Sequence, residues 1–235
     1  MKKKLFVLSD VHGHFTAMKK ALDEAGFDPH NKEHLFVSLG DLFDRGRENM
    51  EVLRYVERLK HKVLLRGNHE DMLEDLLNTG EMSPHHYRNG TLTTLQSFFG
   101  RYAGLSPDGS VDFSGKTRTV DRLFEYLEET RLYFETKNYF FVHGWYPRDP
   151  YRATPEAWRG ARKCRFTEYY DGEAPFPEKN LVCGHMPCFY AYLVDPKRRE
   201  EDDSIFYGNG LIAIDAGTAQ TGKVNVLVLE DELVG

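Results

Sequence analysis

The feature that most constrains this chain is a phrase written three times near its amino terminus: an apolar run, a polar loop, then apolar residues at helical spacing. Leu5-Phe6-Val7-Leu8 stops at Ser9-Asp10 and is followed by Phe15, Met18, Ala21, Leu22 and Ala25 on one helical face. Leu35-Phe36-Val37-Ser38-Leu39 stops at Gly40-Asp41 and leads into Met50, Val52, Leu53, Val56 and Leu59. Val63-Leu64-Leu65 stops before Gly67-Asn68-His69. Strand-loop-helix units repeated at roughly 30 residues suit parallel strands, because each crossover must carry a helix back over the sheet. The expected class is therefore α/β, with apolar strands covered on both faces.

Beyond these units the pattern changes. Residues 79–133 carry Leu92, Leu95, Phe98, Phe99, Leu123 and Leu127 at helical spacing, interrupted by Pro107-Asp108-Gly109. They read as a helical cap inserted beside the sheet, with Phe98, Phe99, Tyr102, Phe124 and Tyr126 as its core. Strands resume at Tyr139-Phe140-Phe141-Val142, ending on His143-Gly144, and at Asn180-Leu181-Val182-Cys183, ending on Gly184-His185. Between them, residues 145–178 read as a second cap region of loop and short helix. Leu211-Ile212-Ala213-Ile214 and the run from Val224 to Leu229 are expected to pair antiparallel through Gly217 and Gly222. A chain of 235 residues can bury one sizeable core, so residues 1–235 are read as a single domain.

Composition removes several function classes. Apolar residues at 40% and charged residues at 29% exclude a disordered chain. A net charge of -6 offers no general attraction to nucleic acid or to an anionic membrane, and neither is an expected partner. Cys164, Cys183 and Cys188 form neither a disulfide framework nor a zinc ribbon, and Leu5 to Leu8 is too short an apolar run for a signal peptide core. A cytoplasmic location is the expectation.

Open α/β sheets place ligands at the carboxyl ends of their strands, and here that rim collects Asp10, His12, Asp41, Asp44, Asn68, His69, His143 and His185. Carboxylate, imidazole and amide oxygen together suit manganese, iron or zinc, whereas magnesium alone would draw more oxygen and less nitrogen. Each motif singly has a plainer explanation. Asp10-Val11-His12-Gly13 serves equally as a helix-capping loop, Gly67-Asn68-His69-Glu70 as a cap for the next helix, and a lone His143 or His185 as a hydrogen-bonded core residue. Gly40-Asp41-Leu42-Phe43-Asp44-Arg45-Gly46 resists that reading, since two carboxylates and an arginine are poor core material.

In order, Asp-x-His-Gly, Gly-Asp-x-x-Asp-Arg-Gly, Gly-Asn-His-Glu, Val-His-Gly and Gly-His resemble the signature series of the PPP-type members of the calcineurin-like metallophosphoesterase superfamily, and Ile214-Asp215-Ala216-Gly217 resembles its closing strand motif. Met186-Pro187 stands where relatives commonly have Thr-Pro, and Trp145 replaces a small residue after His-Gly. The resemblance implies two packed mixed β-sheets flanked by α-helices, and two divalent or trivalent metal ions, Mn, Fe or Zn. It assigns Asp10 and His12 to the first metal, Asp41 to both, and Asn68, His143 and His185 to the second. The i, i+2 spacing of Asp10 and His12 puts both on one side of an extended segment. A hydroxide bound between the metals would attack phosphorus, His69 would protonate the leaving group with Asp44 orienting it, and Arg45 would bind phosphate oxygens. A second phosphate-binding arginine is expected after His143, with Arg162 chosen over Arg159 and Arg165. The implied activity is phosphomonoester hydrolysis, on a Ser/Thr phosphoprotein in the leading reading. Its rival is a dinucleoside polyphosphate such as diadenosine tetraphosphate. A noncatalytic metal-bound module and a nuclease are the remaining alternatives.

Overall fold

The computed structural model describes residues 2–100 and 104–234, so the expected cap aromatic Tyr102 lies outside it. In chain order the first half comprises β1 (Lys2–Leu8), α1 (Phe15–Glu24), β2 (His34–Ser38), α2 (Asn49–Arg58), β3 (Lys62–Leu64), α3 (Asn68–Thr79), α4 (Pro84–Asn89), α5 (Thr91–Phe99) and α6 (Thr117–Glu129). The second half comprises β4 (Phe134–Glu135), β5 (Tyr139–Phe141), α7 (Pro155–Ala161), α8 (Phe166–Tyr169), β6 (Asn180–Cys183), a 3-10 helix (Cys188–Leu193), β7 (Phe206–Gly208), β8 (Leu211–Ala213), α9 (Thr218–Thr221) and β9 (Leu227–Glu232).

The three opening phrases become the parallel strands β1, β2 and β3, in a sheet ordered β3-β2-β1-β9. A second sheet runs β4-β5-β6-β8-β7, with β5, β6 and β8 parallel and short antiparallel strands at both edges. Alternation along each strand sorts the side chains between layers. Leu5 and Val7 of β1 join Val37, Val63, Phe141, Val182 and Ile212 in a buried cluster between the sheets. Phe6 and Leu8 face the other way, onto Met18 and Leu22 of α1 and Val52, Leu53 and Val56 of α2. Phe140, Leu181 and Leu211 cover the outer face of the second sheet with Trp158 and Phe166. The expected fold class of two packed mixed sheets flanked by helices is the one observed.

Two expectations change. The last two strands do not pair with each other: β8 lies between β6 and β7, and β9 crosses to the first sheet and pairs antiparallel with β1 from Lys2↔Glu232 to Val7↔Leu227. The glycines that suggested a hairpin instead bracket α9, each in a left-handed conformation that reverses the chain at the helix ends. The stretch 79–133 is also more than a cap. Leu123, Tyr126 and Leu127 of α6 and Phe98 of α5 belong to the same buried cluster as Phe6 and Phe43, while Met82, Leu95 and Val111 form a separate small cluster with Leu76 of α3. Among the described residues no helix is long and apolar enough to cross a membrane.

Candidate metal centre

Every parallel strand delivers a polar residue to one rim. Asp10 follows β1, Asp41 follows β2, Asn68 opens α3 after β3, His143 follows β5, His185 follows β6 and Asp215 follows β8. The loops after β1 and β2 are zipped together through Asp10 N to Gly40 O at 3.1 Å, His12 N to Asp41 O at 3.0 Å and Gly13 N to Leu42 O at 2.8 Å. Among the described residues, six of the seven non-glycine residues at positive φ are here: Asp10, His12, Asp41, Asp44, Arg45 and His185. Such conformations cost on the order of 1 kcal/mol or more each and persist only when their surroundings impose them. Flanking glycines are a matter of space. A Cβ on Gly67 would collide with Asp41 Oδ1, and one on Gly184 with Ser9 Oγ.

Asp41 is the hub. Its Oδ1 accepts the His69 backbone N–H at 3.0 Å, while Oδ2 faces three imidazoles, at 3.3 Å from His143 Nε2, 3.8 Å from His69 Nε2 and 3.9 Å from His12 Nε2. Asp10 Oδ2 accepts from Ser9 Oγ and from His185 N at 2.8 Å, which leaves Oδ1 3.9 Å from His12 Nε2. His12 Nδ1 donates to Phe43 O and His143 Nδ1 to Leu39 O, both at 2.9 Å, so each ring presents Nε2 to the centre. Asn68 Oδ1 sits 3.1 Å from His143 Nε2. Ligand atoms of Asp41, His143 and His185 lie within 4.8 Å of one another, as do those of His12, Asp41 and His69. Buried carboxylate oxygens and imidazole nitrogens converging within 4.8 Å of one another are a donor set that intermediate cations fit.

The charges are strongly coupled. Burial alone would pull the His143 imidazole down, but the Asp41 carboxylate beside it raises the pKa to about 10. Burial and the neighbouring His143 charge push His185 down to about 4. His69 is raised despite burial, by Asp41 and by its hydrogen bond to Asp44. His69 Nδ1 meets Asp44 Oδ2 at 2.6 Å, and its Nε2 stands 3.3 Å from Arg45 Nη2.

These groups open on a cavity of about 480 Å³, whose wall includes Asp10, His12, Asp41, Arg45, Asn68, His69 and His185. His143 is fully buried behind it. Asp10 and His12 converge through left-handed turns, with φ of 52° and 47°, and not along the extended segment their spacing suggested. Arg162 is elsewhere. It is 3% exposed and forks onto Asp71, with Nη2 at 2.7 Å from Oδ2 and Nε at 3.1 Å, because the turn ending α7 aims it at the first turn of α3. Arg159 reaches Asp75, and Arg165 is the arginine of this stretch on the cavity wall.

Other participants were given no role by the sequence reading, although Glu70, Asp215, Met186 and Pro187 lie in its motifs. Glu70 accepts from Asp41 N, Gly67 N and Tyr126 Oη at 2.8 Å and from Leu42 N at 3.0 Å, tying the β2 and β3 loops together. Its bond to Gly67 N is a capping interaction that the spacing at a helix start signals. Nothing local signals the other three. Asp215 lines the cavity, where burial and nearby Asp10 raise its carboxyl pKa. Beside it, Tyr190, Tyr192, Leu193, Met186 and Pro187 form an aromatic and apolar wall.

The sequence model of the calcineurin-like phosphoesterases matches residues 3–211. Serine/threonine-protein phosphatase 1 of Salmonella typhimurium is 41% identical over 71 residues, which is 30% of this chain and 32% of that enzyme. A symmetrical bis(5'-nucleosyl)-tetraphosphatase of Ectopseudomonas mendocina is 22% identical along 95% of this chain and 94% of its own length. A solved protein serine/threonine phosphatase from Saccharomyces cerevisiae shares the fold with a TM-score of 0.54 at 14% identity, over 99% of this chain and 81% of that one.

Proposed function

The chain belongs to the calcineurin-like phosphoesterase family of hydrolases with dinuclear metal sites, and from that premise we propose that it cleaves alkyl phosphomonoesters, with phosphoserine or phosphothreonine of a protein as the leading substrate. In this reading Asp10, His12 and Asp41 hold one ion, Mn, Fe or Zn, and Asp41, Asn68, His143 and His185 hold the other. Bound there, the cations would neutralise phosphate charge and lower the pKa of the attacking water. Arg45, and Arg165 in place of Arg162, bind the nonbridging oxygens. His69 gives its Nε2 proton to the leaving oxygen while Asp44 holds the ring.

The observation that carries this reading is the His69–Asp44 pair, with Nδ1 2.6 Å from Oδ2, on the same cavity as the carboxylate and imidazole cluster. A leaving alkoxide requires a proton far more than a leaving phosphate does, so a dedicated acid points to an alkyl ester more than to an anhydride. The second reading, a dinucleoside polyphosphate, is supported by the aromatic wall around Tyr190 and by the full-length similarity to bis(5'-nucleosyl)-tetraphosphatases. A panel of phosphoserine peptides and diadenosine tetraphosphate separates them. Higher kcat/KM on the dinucleotide would overturn the leading reading.

Two expected results follow from the placement of charges. With His143 protonated up to about pH 10 and His185 already neutral, metal must displace a proton from His143 alone of the two. Affinity for manganese should therefore rise with pH through the neutral range, with release of at least one proton detectable by calorimetry in buffers of different ionisation heat. An affinity that does not change from pH 6 to 9 would contradict it. Arg165→Ala should raise KM about tenfold with the fold intact, in line with loss of one charge-assisted bond. Arg162→Ala should instead destabilise the protein by about 1.5–3 kcal/mol and lower the thermal midpoint, since Asp71 loses its fork but keeps Arg66 Nε at 2.6 Å from Oδ1.

A further inference from the structure

A second line of contacts reaches this site from α5. Thr91 and Thr94 are fully buried, and neither hydroxyl bonds its own helix, the usual partner for threonine in a first turn. Thr94 Oγ1 donates to Asp44 Oδ1 at 2.6 Å and accepts from Asp44 N at 2.9 Å. Thr91 Oγ1 donates to Asp44 Oδ2 at 3.0 Å, the oxygen that also meets His69 Nδ1. One turn on, Ser97 Oγ accepts Met50 N at 3.0 Å, so hydroxyls at i, i+3 and i+6 face the end of the β2–α2 loop and the first turn of α2. Gly90, just before α5, accepts Arg45 N at 3.2 Å, and a Cβ there would lie 2.7 Å from that nitrogen. Asp44 and Arg45, at φ of 73° and 67°, are thus consecutive left-handed residues held from outside by the start of one helix.

We propose that Thr91 and Thr94 are positioning residues for the leaving-group acid: they hold both oxygens of the Asp44 carboxylate so that His69 is presented to the substrate in one orientation. The proposal rests on the reading of His69 as the acid. A carboxylate torsion is broad when unrestrained, and the imidazole hydrogen-bonded to it turns with it. Misplacement of a reacting group by about 1 Å is enough to cost on the order of a hundredfold. Removing the Thr94 hydroxyl leaves Asp44 N its bond to Asn49 Oδ1 at 3.0 Å, so the backbone of the loop keeps a partner while Oδ1 of the carboxylate loses its only donor among the described residues.

The test compares Thr94→Val, Thr94→Ser and Thr91→Val as manganese-loaded protein, on an aryl monoester of an acidic phenol and on an alkyl monoester. The valine variants should lose about tenfold to a hundredfold on the alkyl ester and about threefold or less on the aryl ester, because only the poor leaving group depends on the acid. Thr94→Ser should restore the alkyl rate to within about twofold of the parent, since its hydroxyl makes the same bond. Metal content should match the parent, and the thermal midpoint should fall by only several degrees in the valine variants, as expected for one lost buried hydrogen bond. Equal losses on both esters, or serine as slow as valine in a folded, metal-replete protein, overturn the proposal; if Thr94→Val does not fold, Thr91→Val decides by the same comparison. His69→Ala in the same panel separates the two levels. A flat His69→Ala profile sinks the acid reading itself, whereas a steep one beside flat threonine variants sinks the threonine proposal alone.

Discussion

Asp41→Asn is expected to lose metal and activity together. The substitution keeps the shape, and the amide oxygen can still accept the His69 backbone N–H that Oδ1 accepts at 3.0 Å. What disappears is the negative charge on the atom facing His12, His69 and His143 at 3.9, 3.8 and 3.3 Å. Two cations would then share one fewer anion in a site where Asp10 is the other proposed carboxylate ligand. Elemental analysis of protein purified without chelator should fall from about two ions per chain towards one or none, as loss of a deprotonated ligand weakens binding at the folded site. With Lewis acidity worth several kcal/mol, kcat/KM should fall by about a thousandfold. A variant that retained full stoichiometry would overturn the placement of Asp41 between the two ions.

His69→Ala should behave differently, keeping the metals and losing rate unevenly. On alkyl phosphates the loss should reach about a hundredfold to ten-thousandfold, the range a positioned acid contributes, and on nitrophenyl phosphate it should be small. The steeper dependence of rate on leaving-group pKa is the signature of the missing proton. The metal measurement matters because His69 Nε2 also lies within ligand distance of His12 and Asp41. Its engagement by Asp44 at 2.6 Å fits an oriented acid, while Arg45 Nη2, a donor only, stands 3.3 Å from Nε2, so the guanidinium has to turn to the substrate phosphate for Nε2 to carry the proton. If the alanine variant came out of purification with one ion missing, His69 would be a ligand and the proton would have to come from elsewhere.

The chain's periodicity made the fold legible as far as local rules extend. Apolar runs followed by helical spacing placed β1 to β3, α1 and α2, and the run of polar residues after strands named the rim on which Asp10, Asp41, Asn68, His143 and His185 meet. Local reading failed where two readings share one pattern. A glycine-flanked pair of apolar runs looks like a hairpin whether its strands join each other or, as β8 and β9 do, two different sheets. Arg159, Arg162 and Arg165 are equivalent as text, yet they reach Asp75, Asp71 and the cavity respectively. The conformation of Asp10 and His12 was also out of reach, since left-handed backbone at non-glycine residues is imposed by the neighbouring loop and not preferred by the residues themselves.

By itself, then, the sequence determined the α/β class, the strand ends that carry chemistry and the kinds of donor atom gathered there, because side-chain alternation and helical period are properties of a few adjacent residues. Tertiary structure alone decided which arginine faces the cavity, that β9 closes against β1, and that hydroxyls fifty residues downstream hold Asp44. Those outcomes depend on where distant segments cross, and the free energy that selects a crossing comes from burying the whole core at once.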